Sequence, residues 1–303
     1  MKWKIFSKKR FTIIKRTYQA FRDDDVIKLS ASLSYYTIFA LPPLLIIIIA
    51  ICGLFFGSDA VKGQVFHQIN NFVGNAAALQ IQDILKNVKL SGDNTLATIM
   101  GAAILLIGAS GVFSELQSSI NYIWGLRAKP KRGVVKFLKN RLMSFSMIGV
   151  VAFLLLVSLT LNTILDVLSS HIFSRFPDVT VYLLYIVNTI LVFFTTTCLF
   201  ALIFRTLPDG RFPWKYTFIG SGMTAIFFMI GKFAIGAYLG NSKVASTYGA
   251  AGSLIVILIW VYYSAIILYA GAEFTKVYTL AHGKKIAPLS YAVEIEKEEI
   301  EIR

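Results

Sequence analysis

At 303 residues, with 56% hydrophobic and 15% charged side chains, the chain is too apolar for an ordinary soluble domain, where these shares sit near ~45–50% and ~25%. Its net charge of +14 is concentrated in short basic segments between long uncharged blocks, the pattern of a chain for which lipid is the solvent over half its length. The two cysteines, Cys52 and Cys198, each lie inside an apolar block, which excludes a disulfide framework and a CxxC metal or redox motif.

In chain order, residues 1–29 form a basic N-terminal segment. The apolar stretch after it is longer than a secretory h-region and lacks an A-x-A cleavage site, so it is expected to be an uncleaved first span. Six apolar blocks, at 31–56, 95–119, 142–165, 181–204, 216–239 and 251–275, each reach the ~20 residues a helix needs to cross ~30 Å of hydrocarbon. Helices are the necessary choice, because hydrocarbon offers no partner to a free N–H or C=O and the blocks lack the alternation of barrel strands. The expected fold is therefore an all-α, polytopic helical bundle with its membrane domain at 30–275.

Positive loops resist translocation. Segments 1–29, 125–141, 205–215 and 276–303 hold 24 of the thirty Lys and Arg residues; the intervening loops hold five, and Lys232 lies inside the fifth block. That alternation predicts six spans with both termini in the cytoplasm. The basic excess then sits at span ends, where it attracts anionic lipid rather than nucleic acid. Between the first two spans, 57–94 carries apolar residues at helical spacing (Val65, Phe66, Ile69, Phe72; then Ile81, Ile84, Leu85, Val88), predicting two short amphipathic helices on the external face. Residues 276–303 read as a cytoplasmic tail, and the stretch after Glu294 alternates charge with Ile too sparsely to pack, so a mobile tail is expected.

Candidate residues follow from what is costly in lipid. Pro42-Pro43 falls mid-block and deprives the carbonyls of Ile38 and Phe39 of their usual donors. A broken span of this kind can line a cavity with Ser34 and Tyr35 beside it, or be a kink repaired by neighbouring helices. The second block has a polar stripe, Ser110, Ser114, Gln117 and Asn121, with Glu115 adjacent; the carboxylate fits a proton or substrate site or an interfacial salt bridge. Glu273 near the end of the last block has the same two readings. Gly220, Thr224, Gly236, Gly240, Gly249, Gly252 and Ser253 are spaced for close helix approach. His67, His171 and His282 are isolated, and no Walker loop or G-x-S-x-G elbow occurs, so neither a metal, a cofactor nor an enzymatic site is expected.

Several separated motifs resemble one family. Asp24-Asp25 with LSASLSYYTIFALPP at 29–43, GASGVF at 108–113, NYIW at 121–124, LPD at 207–209 with Pro213-Trp214, YGAAGS at 248–253, WVYYS at 260–264 and GAE at 271–273 are similar to the YihY/BrkB membrane proteins, over roughly residues 20–280. The resemblance implies a six-span protein of the bacterial inner membrane, associated in some members with serum resistance and in others with envelope lipid or lipopolysaccharide traffic. The ribonuclease label that some members carry does not fit a chain without a His/Asp metal cluster. The expected function is a permease or translocator of lipid or another envelope substrate, its path shaped by Ser34, Tyr35, Pro42, Pro43, Ser114, Glu115, Asn121 and Glu273. The alternative is a non-transporting envelope organiser that recruits a partner protein or a second copy through 57–94.

Overall fold

A computed structural model of the chain describes residues 2–56, 79, 95–129, 146–151, 153–154, 157, 177–241 and 252–295. Its elements are α1 (Lys2–Asp23), α2 (Val26–Phe56), α3 (Thr95–Ile123), β1 (Leu126–Ala128), α4 (Pro177–Thr206), β2 (Gly210–Arg211), α5 (Trp214–Asn241), α6 (Gly252–Ala281), β3 (Ala287–Pro288) and β4 (Ala292–Glu294). Five of the six apolar blocks coincide with the bodies of α2 to α6. The third is helical at 146–151, 153–154 and 157, and its remainder lies outside the described residues, as does the expected external segment 57–94 apart from Leu79. Ile186–Thr206, Trp214–Tyr238 and Leu254–Ala281 are each long and apolar enough to cross a bilayer. The molecule is a helical membrane protein.

Helix α6 occupies the centre, packing against α1, α2, α3 and α5, while α2 also packs on α3 and α4 on α5. Its residues Tyr269, Ala272, Glu273, Thr275 and Thr279 are all buried, so this helix is covered on nearly every face from its middle to its basic end. The main core joins α2, α3, α5 and α6 through Leu33, Ala40, Ala109, Phe113, Ile120, Trp124, Ala225, Ala265 and Tyr269, with Phe200 and Phe204 of α4 closing one side.

Of the two readings of Pro42-Pro43 the helix sustained by its neighbours is the one seen, and the expectation of a free tail is corrected. Helix α2 runs without interruption across Pro42-Pro43, so the first span is not broken there. A Cβ on Gly108 would lie 3.2 Å from Pro43 Cγ; Pro43 fills the gap that this glycine leaves on α3, and neighbouring packing sustains the helix. The C-terminal segment is also no free tail as far as Ile295. Residues 276–281 complete α6, β3 pairs antiparallel with β2, and β4 pairs antiparallel with β1, Leu126 opposite Glu294 and Ala128 opposite Ala292. The pattern was missed because these strands are two or three residues long and carry little period-2 alternation. Residues 296–303 lie outside the described ones.

A glycine sets up the first of these ladders. Gly125 takes a left-handed φ of +65° just beyond α3, a helix stop that L-residues with a side chain adopt only at a cost. Its carbonyl accepts the Ile295 N–H at 2.7 Å, which ties the chain end to the end of α3.

Candidate functional site

Helix α4 stops at Thr206 because residue 208 is proline, which disfavours helical geometry in the residue before it and directs the chain into the turn Leu207-Pro208-Asp209-Gly210. Gly210 is required by space: a Cβ there would come within 2.8 Å of both Ile286 and Leu126. The turn drives Asp209 inward until it is only 1% exposed. Asp209 Oδ1 accepts from Gln117 Nε2 at 3.1 Å and from the Tyr291 hydroxyl at 3.2 Å, and Oδ2 accepts from Asn121 Nδ2 at 2.9 Å. Its backbone N–H donates to Asn121 Oδ1 at 2.8 Å, and its carbonyl accepts the Leu289 N–H at 2.8 Å. A buried carboxylate is tolerable only when its lone pairs are filled. Here neutral donors from α3 and the chain end fill them. Tyr291 is pushed up to about 12, first by burial, then by the Asp209 charge and by the hydrogen bond that holds its proton, with Arg211 acting in the opposite sense.

A second polar knot lies at the same end of the bundle. Lys276 of α6 pairs with Asp24, between α1 and α2, at 3.5 Å, and also donates to the carbonyl of Ile123, the last residue of α3. A cation at a helix C-terminus meets both a carbonyl lacking an intrahelical donor and the negative end of the dipole. One turn away on α6, the Ala272 carbonyl accepts from the Trp124 indole at 3.2 Å, and the Trp124 ring stands edge-on to Phe212 at 4.6 Å. Four segments distant in sequence thus converge around Trp124 and Lys276.

Deeper in the bundle, half-buried Glu115 of α3 accepts a long bond of 3.4 Å from the buried Ser119, and Tyr269 of the neighbouring α6 is fully buried. Glu273 stands one turn from Tyr269 on the same face of α6 and is 0% exposed. The packed helices α3 and α6 therefore bury the Glu273 carboxylate, the Tyr269 phenol and the Ser119 hydroxyl and half-bury the Glu115 carboxylate.

The expected site residues are dispersed. Asn121 joins Asp209, Glu115 is bonded to Ser119, and Glu273 is buried one turn from Tyr269. Ser34 donates to the Leu258 carbonyl of α6 at 3.2 Å, which makes it a helix-to-helix tie. Tyr35 is 61% exposed and stacks edge-on with Tyr36 and Phe39 on the outer face of α2. Ser114 is exposed and returns its hydroxyl to the Ser110 carbonyl. Pro43 meets Gly108, and the surroundings of the Pro42 ring are outside the described residues. Ser34, Tyr35, Ser114 and Pro43 are thus not brought together around one cavity.

Among the packing residues, Gly220 and Thr224 meet α6. A Cβ on Gly220 would sit 1.9 Å from Thr275 Oγ1, and one on Gly271 would sit 2.0 Å from Thr224 Oγ1. Each threonine also returns its hydroxyl to the glycine carbonyl one turn back on its own helix, Thr224 to Gly220 and Thr275 to Gly271. Gly236 has no described atom within 4 Å of a Cβ, so no close approach is made there among the described residues. Gly249, and the side-chain surroundings of Gly240, Gly252 and Ser253, lie outside the described residues. Asp209, Tyr291, Lys276 and Tyr269 went unselected as site residues. Asp209 stands in a Pro-Asp-Gly turn, a signal for a turn rather than for burial.

A family model described as Virulence factor BrkB matches residues 17–293. The UPF0761 membrane protein of Saccharophagus degradans is 28% identical over 259 residues, covering 86% of this chain and 58% of that protein. Its counterpart in Teredinibacter turnerae is 27% identical over 284 residues, covering 91% and 62%, and that in Alcanivorax borkumensis is 24% identical over 278 residues, covering 88% and 61%. The chain thus spans about six-tenths of the length of these relatives. No solved structure matches it. With nine-tenths of its length inside that family model, the chain belongs to the BrkB family of membrane proteins.

Proposed function

We propose that this protein is a permease or translocator of the bacterial inner membrane, with six spans, both termini cytoplasmic, and lipid or another envelope amphiphile as substrate. The observation that carries the reading is that the neighbouring helices α3 and α6 carry Glu115 bonded to Ser119 and a fully buried Glu273 one turn from Tyr269. Ionisable groups inside a membrane bundle are costly and mark paths for polar groups or protons. A path here would pass a substrate headgroup along acceptors and hydroxyls, and the Asp209 and Lys276 knots would close its basic end. No bond-making step, cofactor or nucleic acid enters this reading.

Reconstituted vesicles containing the protein should accelerate the passage of a fluorescent phospholipid between leaflets. Glu115→Gln, which keeps the side-chain volume and the Ser119 contact, is expected to abolish that passage while leaving the folded protein abundant. Unchanged flux would remove Glu115 from the mechanism. Absence of flux in the unaltered protein, with intact co-purification of another envelope protein or a second copy, would favour the organiser.

A further inference from the structure

The first helix has two distinct apolar faces, and among the described residues only one is packed. Ile13 is buried, and Phe21 packs on the main core where α1 meets α6. Phe11, Ile14 and Tyr18, at spacings of three and four, form a second stripe turned outward, and they are 70%, 65% and 64% exposed. Lys15 and Arg22, seven residues apart and both exposed, border this stripe on the side away from the core, and the same register holds Lys4 and Lys8 in the sequence. An apolar stripe edged by cations is the composition of a helix lying at the boundary between headgroups and acyl chains of an anionic leaflet. A water-exposed helix gains nothing from three outward apolar rings and branches.

The position of α1 limits what can cover it. Its end is held by the Lys276 pairing with Asp24, and only Asp24 and Asp25 separate it from α2, which continues directly into the apolar stretch Val26–Leu41. Asp25 takes a φ of +49° to make the corner. The last turn of α1 therefore adjoins the start of an apolar stretch and is fixed to the central helix of the bundle. We infer that α1 is an interfacial helix whose Phe11, Ile14 and Tyr18 stripe enters the membrane and whose Lys15 and Arg22 edge selects anionic lipid headgroups. This surface is independent of the interior carboxylates and holds for a translocator and an organiser alike.

The test uses full-length protein carrying Cys52→Ser and Cys198→Ser, with an environment-sensitive nitrobenzoxadiazole probe attached through Ile14→Cys or, as a control on the opposite side of the same helix, Gln19→Cys. Each is reconstituted into vesicles of phosphatidylcholine and phosphatidylglycerol in equal amounts, with brominated acyl chains placed on one lipid at a time. The Ile14 probe is expected to shift to the blue and to be quenched, more by brominated phosphatidylglycerol than by brominated phosphatidylcholine, while the Gln19 probe stays water-exposed. Adding Lys15→Glu and Arg22→Glu should bring the ratio of the two quenching efficiencies to about one, since each basic residue near an anionic surface contributes on the order of 1 kcal/mol. Molar salt, which shortens the screening length to about 3 Å, should do the same without any substitution. An Ile14 probe as exposed as the Gln19 probe overturns the inference. So does one shielded but not quenched by either lipid, which would mean that protein covers the stripe. Equal quenching by both lipids overturns the anionic preference.

Discussion

Replacing Gly220 by alanine tests how tightly α5 and α6 are joined, and the same helix supplies its own controls. In a helix interior, alanine is favoured over glycine by ~0.8–1.0 kcal/mol, so the substitution stabilises wherever the methyl has room. At Gly222 and Gly236 no described atom lies within 4 Å of the new Cβ, and Gly222→Ala or Gly236→Ala should raise stability by about 0.5–1 kcal/mol. At Gly220 the methyl would meet Thr275 at 1.9, 2.8 and 3.0 Å. Thr275 cannot swing aside, because it is β-branched with few rotamers in a helix and its hydroxyl is bonded to Gly271 at 2.7 Å. The helices must part by more than about 1 Å, and overpacking of this kind costs about 1–3 kcal/mol, which exceeds the propensity gain at all but its lower end. Gly271→Ala meets Thr224 in the same way at 2.0 Å. Because both contacts lie in one interface, the second substitution should cost less once the first has separated the helices.

The readout is the temperature at which half of the detergent-solubilised protein loses its monodisperse elution after heating. Gly220→Ala and Gly271→Ala should fall below the unaltered protein and Gly222→Ala should rise above it. Adding Thr275→Ala to Gly220→Ala should restore part of the loss, since it removes the 1.9 Å contact and leaves the Thr275 Cβ at 2.8 Å. Gly220→Ala melting at or above the temperature of Gly222→Ala would refute the interlock and the packing of α5 on α6 derived from it.

Three further outcomes follow from the basic end. Asp209→Ala leaves Gln117, Asn121 and Tyr291 without their shared acceptor and should cost about 3–5 kcal/mol, while Asp209→Asn, which keeps one acceptor, should cost less; thermal melting and faster proteolysis between Gly283 and Ile295 read both. Tyr291 has its proton held more firmly in the folded protein, at about 12, than in the unfolded chain, at 10.0, so its contribution to stability is fully present below pH 10 and is lost as pH rises toward 12. Tyr291→Phe should remove that component of the alkaline loss and cost about 1 kcal/mol at neutral pH, as followed by melting across an alkaline pH series. Lys276→Met leaves the buried Asp24 without its cation and should be more damaging than Lys276→Met combined with Asp24→Asn, in a double-mutant cycle of melting temperatures.

The positions of α2, α3, α4, α5 and α6 were legible because the apolar blocks are long and depend on composition alone. The site was legible only in part, and helix α3 shows why. Ser110, Ser114, Gln117 and Asn121 read as one polar stripe, yet Ser114 is exposed while Gln117 and Asn121 point at Asp209. Steps of three and four residues wander around a helix by tens of degrees, and which edge of the stripe is buried depends on partners more than eighty residues away. Asp209 could not be seen as the partner, since a Pro-Asp-Gly sequence is equally suited to an exposed turn. The short ladders of β1 to β4 escaped for a related reason: their pairing is fixed by where α3 and α4 end rather than by their own residues. Gly220 and Thr224 were legible because small residues one turn apart are a local signal, but Gly236, with the same spacing to Gly240, meets nothing among the described residues, so the signal identifies a permissive face and not its neighbour.

Close backbone approach also decides which parts of this bundle move as units. Gly220, Thr224, Gly271 and Thr275 lock α5 to α6, and Gly108 lets α3 close on Pro43 of α2; neither contact can slide without steric overlap, because packed interfaces have discrete arrangements. The two pairs are joined to each other through α6, which packs on α2 as extensively as on α5 and shares one core with it, and Ser34 adds a bond to the Leu258 carbonyl. At the basic end they are bound by Lys276, which holds Asp24 and the end of α3, and by Asp209, which holds Gln117, Asn121 and Tyr291. A translocator built on this frame would open by rocking α2 and α3 away from α5 and α6, separating Glu115 from Tyr269 and Glu273 across the seam. Such a motion would take Gln117 and Asn121 of α3 away from Asp209 and leave its buried carboxylate with the Tyr291 bond, which makes opening at that end costly. Asp209→Asn should on this account raise the leak of a small polar dye from reconstituted vesicles even where the bundle remains folded, and a tight vesicle with a loosened chain end would show that the knot fastens the tail without gating a path.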